Sequence, residues 1–113
     1  MDSTHLYVLW TNDNPITAEK MVFMYTKNSL FNAWWESVTI IIWGATAKLV
    51  GENERIQEKI REVADAGVHI SACKSCADHL GVTEVLESMQ IEVKYWGQSL
   101  SEILKNNEPL LTI

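Results

Sequence analysis

The chain alternates between short apolar runs and longer segments whose apolar residues recur at helical spacing. The run at residues 38–43 is rich in β-branched residues and carries no charge, which is typical of a strand buried on both faces. Runs of this kind, bounded by glycine, proline or polar residues, predict β-strands. They fall at residues 6–10, 38–43, 68–72, 91–96 and 109–113.

Between these runs the pattern changes to a period near 3.6 residues, which predicts amphipathic helices. The clearest helix covers residues 53–66, where Ile56, Ile60, Val63 and Ala64 share one face and charged residues cover the other. The remaining predicted helices cover residues 15–30, 83–89 and 99–106, with a short helix through Cys76 to Leu80.

Polar residues mark the expected starts of several helices. Asn14 precedes a proline and is expected to cap the first helix. Ser75 with Asp78, and Ser99 with Glu102, have the spacing of capping boxes.

Strands that alternate with helices predict an α/β domain with a mostly parallel sheet of about five strands and helices on both faces. We find no linker, repeat or low-complexity segment, so residues 1–113 are expected to form a single domain. Because ligands bind beyond the carboxyl ends of the strands in such sheets, the strand ends are the first place to seek a site.

The ends of the predicted strands bring several distinctive residues to one edge of the sheet. Cys73 follows the third strand, and tryptophans end the first, second and fourth strands. We expect the tryptophans and the first loop to wall a partly apolar crevice around the thiol, although the indoles would equally serve to close the core. The candidate binding residues are Trp10, Thr11, Asn12, Asn14, Trp43, Gly44, Lys74 and Trp96.

Cys73 and Cys76 are the only two cysteines of the chain and form a C-x-x-C pair. A cysteine between a strand and a helix lies near unpaired N–H groups, which favour its thiolate. Lys74 would favour the thiolate further. Cys73 is therefore the candidate nucleophile, with Cys76 as a secondary catalytic residue that acts as a resolving thiol or faces the core.

Three other interpretations of the cysteine pair remain open at this point. Free cysteines are often buried as small apolar residues. A C-x-x-C pair near a βαβ unit is also typical of a dithiol redox protein. A zinc site with His79 is weaker because it lacks a fourth ligand, and we expect no metal and no cofactor.

Composition and charge exclude several classes of protein. The net charge is −6, whereas a nucleic-acid-binding protein usually carries a basic surface. No apolar run approaches the about 20 residues that span a bilayer, so no membrane association is expected. A C-x-x-C pair without an evident signal peptide favours reduced thiols and a cytoplasmic location. Phe31 and the Trp34-Trp35 pair would form either a subunit interface or a cover for the sheet edge.

The chain as a whole resembles the DsrE/DsrF-like family of sulfur-relay proteins. The resemblance rests on the alternating layout, on Asn12 and Asn14 in the first loop, and on Cys73 eight residues before Gly81. Its sharpest part is the segment at residues 72–82, which is similar to small single-domain members of the family.

This resemblance implies a three-layer α/β/α domain that associates into trimers or hexamers. It also implies a cysteine persulfide that is passed to a partner protein, with Cys73 in the position of the reactive cysteine. Cys76 has no counterpart in the better-studied sulfur-transfer members. Two hypotheses follow: a sulfur carrier or sulfurtransferase-like protein with donor and acceptor proteins, or a non-enzymatic module that binds a small ligand or assembles and has structural cysteines.

Overall fold

A five-stranded sheet organises the protein. The computed structural model describes residues 4–113. The strands are β1 (His5–Trp10), β2 (Ser37–Ile42), β3 (His69–Cys73), β4 (Glu92–Lys94) and β5 (Leu110–Thr112). Their order is β4-β3-β2-β1-β5, and all four neighbouring pairs are parallel. The predicted α/β fold with a mostly parallel sheet is confirmed.

Helices connect successive strands. They are α1 (Pro15–Thr17), α2 (Met24–Phe31), α3 (Ala45–Glu52), α4 (Glu54–Asp65), α5 (Lys74–His79), α6 (Thr83–Ser88) and α7 (Gly97–Lys105). A π-helical turn (Ala18–Phe23) joins α1 to α2. The hydrophobic pattern does not predict α3. Within residues 4–113, no helix is long and apolar enough to cross a membrane.

The helix starts agree with the sequence in part. The Asn14 side chain accepts hydrogen bonds from the first backbone N–H groups of α1, as expected. The two predicted capping boxes are wrong, because α5 and α7 begin earlier along the chain. Cys73 and Trp96 are their N-cap residues, so Ser75 and Ser99 lie within the helices.

The two faces of the sheet are covered unequally. Successive strand residues point to opposite faces, as the pleat requires. On one side, which we call the major face, Val8, Ile40 and Ile70 pack against the π-helical turn and helices α2–α6. On the other, the minor face, α7 supplies the cover through Ile103, which packs with Ile41. The central strand β2 is therefore buried on both faces, as its sequence predicts.

The carboxyl ends of the inner strands meet at one edge. Trp10 pairs with Ile42, and Ile42 pairs with Ala72. The Thr46 hydroxyl in α3 donates a hydrogen bond of 2.6 Å to the Trp10 carbonyl oxygen and ties the loop after β2 to the end of β1. We call this the carboxyl edge.

Candidate functional site

The two thiols lie together at the carboxyl edge. Cys73 is the last residue of β3 and the N-cap of α5, and Cys76 lies in the first turn of that helix. Cys73 is 4% exposed, whereas Cys76 is half-buried. Both cysteines are free thiols, and Cys73 is close enough to raise the pKa of the Cys76 thiol. The arrangement is therefore a dithiol pair.

The loop after β2 contributes a hydrogen-bond donor to this pair. The backbone N–H of Gly44 donates to Cys76 Sγ over 3.3 Å. Gly44 has φ +74°, a conformation that side chains disfavour, and a Cβ placed there would meet no atom within 4 Å. Glycine is thus required by the backbone conformation rather than by crowding. The sequence predicted that Gly44 lies at this edge but not that its N–H contacts Cys76.

The two sulfurs have different surroundings. Burial raises the pKa of the Cys76 thiol, and the neighbouring Cys73 raises it further, while the Gly44 N–H acts in the opposite direction. Cys76 therefore keeps its proton at neutral pH.

Lys74 is engaged elsewhere. Its Nζ atom lies 3.1 Å from Asp78 Oδ2, and the pKa of Lys74 is raised chiefly by this hydrogen bond. Asp78 also accepts a hydrogen bond from the Thr83 hydroxyl, which lowers the pKa of the Asp78 carboxyl. The positive charge of Lys74, which the sequence analysis expected to favour the Cys73 thiolate, is thus shared with the Asp78 carboxylate.

The expected crevice of three tryptophans is not formed. Trp10 is fully buried in the major-face core, where it meets Phe23 edge-on. Trp43 and Trp96 belong to the cluster on the minor face. The strands end at one edge as predicted, but the pleat sends these indoles to opposite sides of the sheet. The sequence alone gives neither the strand order nor the side of the sheet on which each indole lies, so it could not show this separation.

The side chains of the first loop support the local backbone. Asn12 Oδ1 accepts a hydrogen bond of 2.8 Å from the Asn14 N–H. Thr11 Oγ1 donates to the Ile113 carbonyl oxygen over 3.1 Å. All three side chains are exposed, and their role in binding a ligand stays a prediction.

Lys94 is a residue of this edge that the sequence analysis missed. It lies directly opposite Cys73 in the ladder between β3 and β4. Its Nζ atom lies 4.2 Å from the centre of the Trp96 ring. A lysine within the fourth predicted strand was the available signal, but its position relative to Cys73 depends on strand order and register.

A metal site is not assembled in the part of the chain that the structure describes. No group of three or more His, Cys, Asp or Glu side chains there is placed to hold an ion. His79 lies on the exposed surface of α5. The chemistry that the observed arrangement supports is thiol chemistry, since two neighbouring free cysteines can carry a sulfur atom or form a disulfide.

Comparisons with known proteins agree with this class of α/β protein. Residues 8–112 match the DsrE/DsrF-like family, so the chain belongs to that family. The resemblance drawn from the segment around Cys73 is therefore confirmed.

Two solved structures resemble the protein. One is a conserved protein of unknown function, BT1422 from Bacteroides thetaiotaomicron, with 40% identity and a TM-score of 0.95 over 97% of this chain and 95% of that one. The other is the YchN protein from E. coli, with 12% identity and a TM-score of 0.70 over 99% of this chain and 100% of that one, which shows the fold alone. A comparison with curated proteins gives no match.

Proposed function

We propose that the protein carries sulfane sulfur as a persulfide on Cys73 and passes it to an acceptor protein. The observation that carries this proposal is the placement of two free thiols at the end of β3, with Cys73 as the N-cap of α5 and Cys76 in its first turn. Membership of the DsrE/DsrF-like family supports it. The donor is a persulfide-bearing partner or a small sulfur compound.

Loading is a displacement at sulfur. The Cys73 thiolate attacks the outer sulfur of a donor persulfide, so that a new S–S bond forms and the donor S–S bond breaks. The donor leaves as a thiolate with the electron pair, and the proton of its persulfide moves to that thiolate. Cys73 then holds a persulfide anion near the protonated thiol of Cys76. An acceptor thiolate removes the outer sulfur by the same step in reverse.

Cys76 also offers a release step. If its thiolate attacks Cys73 Sγ, a Cys73–Cys76 disulfide forms and the outer sulfur leaves as hydrosulfide. The raised pKa of Cys76 makes this step slow at neutral pH, because the attacking thiolate is scarce. The placement of the two free thiols next to each other also favours a second candidate function, a dithiol–disulfide redox protein.

Intact-mass measurement separates these functions. The reduced protein is incubated with inorganic polysulfide, desalted and weighed, and the bound sulfur is confirmed by cyanolysis. We expect a gain of one sulfur that is absent in Cys73→Ser and present in Cys76→Ser. Ser75→Ala, an exposed change between the two cysteines, is the matched control and should load normally.

The other outcomes are equally informative. A loss of two hydrogens without added sulfur, removed by either cysteine substitution, would assign the protein to the redox class. No change in mass at all would contradict both thiol functions and leave a ligand-binding or assembly module with structural cysteines.

A further inference from the structure

Lys94 shares a face of the sheet with Cys73. The two residues are partners in the parallel β3–β4 ladder, and paired residues of neighbouring strands point to the same side. Ser71, two residues before Cys73, lies on that side too, since its hydroxyl accepts a hydrogen bond of 2.7 Å from Trp96 Nε1. The Lys94 side chain therefore stands on the minor face beside the thiol.

Trp96 holds the Lys94 ammonium in place. The indole is 4% exposed and is fixed by its hydrogen bond to Ser71. Lys94 Nζ lies 4.2 Å from the centre of this ring, within the range of a cation–π contact. A rigid, buried ring under a half-buried lysine leaves the charge at a defined position next to the end of β3.

The charge of Lys94 is available to a ligand. Within residues 4–113 it makes no ion pair, in contrast to Lys74, which is bound by Asp78. The carboxylate of Glu92, on the same face of β4, is occupied by the Ser71 hydroxyl at 3.0 Å and by His69 at 3.6 Å. A free cation beside the thiols is notable in a chain whose net charge is −6.

We infer that Lys94 determines the specificity of the site by attracting an anionic sulfur donor to Cys73. The inference rests on the proposed function and adds the substrate class, a small anion that contains sulfane sulfur. With thiosulfate as the probe, the Cys73 thiolate attacks the outer sulfur and sulfite leaves with the electron pair. Both reactants are negative, so a cation beside the thiol reduces their repulsion.

Alkylation tests the charge without requiring sulfur transfer. In a Cys76→Ser background, the rate at which Cys73 reacts with iodoacetate is divided by its rate with neutral iodoacetamide. Both reagents present the same reacting carbon, so the ratio reports on charge and not on burial. We expect Lys94→Gln to lower the ratio by about fivefold, the size expected for one partly screened charge.

Two further variants make the result specific. Lys94→Arg should keep the ratio, and Lys105→Gln, the same loss of charge on an exposed residue at the far end of α7, should leave it unchanged. An equal ratio in Lys94→Gln and the parent would overturn the inference, whether or not Cys73 carries sulfur. So would a wild-type protein that loads from an uncharged organic trisulfide but not from thiosulfate.

Discussion

At the residue scale, the two cysteines have different neighbours, and the separate tasks that we propose for them rest on this difference. Cys73 sits at the end of a strand with a thiol and an ammonium nearby, whereas Cys76 sits in a helix and accepts a backbone N–H. The C-x-x-C spacing alone would suggest two equivalent thiols. Burial raises the pKa of Cys76, so this thiol carries its proton at neutral pH.

The pKa of Cys76 provides a prediction for the wild-type protein. Site-resolved alkylation by mass spectrometry should give a pH–rate profile for Cys76 with a midpoint above 9.0, its ordinary value. Cys73→Ser should lower this midpoint, because the substitution removes a neighbouring charge. A midpoint at or below 9.0 in the wild type would contradict the raised pKa of Cys76.

The same shift has a consequence for stability. A folded-state pKa that is raised above the unfolded value stabilises the fold while the thiol is protonated. This contribution is present below the unfolded value and is lost as the pH rises through the folded value. The stabilising contribution of the Cys76 thiol is therefore lost only in alkaline solution.

At the element scale, the sequence predicted the five strands but not every helix. All strands stand where apolar runs predicted them, and β4 is shorter because the chain turns at Trp96 to begin α7. Helix α3 was missed because its residues combine glycine, threonine and alanine without a clear amphipathic period. The contact of Gly44 with Cys76 was missed for a related reason, since it depends on how α5 packs beside the loop after β2.

Gly51 shows that α3 is held tightly against the rest of the fold. A Cβ at this position would lie 2.5 Å from Val82 Cγ1 and 2.7 Å from Val82 Cβ. Val82 is buried and β-branched, so it has little freedom to move away. We expect Gly51→Ala to lower the free energy of unfolding by about 1–3 kcal/mol, measured by urea denaturation.

Gly97 is the matched control for this substitution. It is also a helical glycine, and a Cβ there would meet no atom within 4 Å. Gly97→Ala should leave stability unchanged or raise it by a few tenths of a kcal/mol, because alanine favours the helix. A gain in stability in Gly51→Ala that equals the gain in Gly97→Ala would show that helix propensity, and not the contact with Val82, governs the effect.

At the scale of the whole molecule, apolar surface is left uncovered beside α2. Phe31 is 87% exposed, Trp34 is 59% exposed and Met24 is 48% exposed. Trp34 lies against the Tyr25 ring at 6.2 Å, and Tyr25 in turn accepts a hydrogen bond from the Trp35 indole. Exposed aromatic residues held in place by their neighbours are typical of protein contact surfaces.

We propose that this surface joins copies of the chain into a trimer or hexamer. Light scattering after size exclusion should show that the wild-type mass falls toward that of one chain in a Phe31→Ser, Trp34→Ser variant. Ile16→Ser removes another exposed apolar side chain, at 71% exposure, and should leave the mass unchanged. A wild-type protein with the mass of a single chain would contradict the proposal.

The strand order has a consequence for how the protein forms. Strands β1 to β4 are added in one direction across the sheet, and the chain then returns to place β5 beside β1. Thr11 and its bonding partner Ile113 are 102 residues apart. During synthesis, one side of β1 therefore has no partner until the last strand emerges from the ribosome. A nascent chain arrested before Leu110 would present β1 as an open edge, the kind of surface on which strands of other molecules pair.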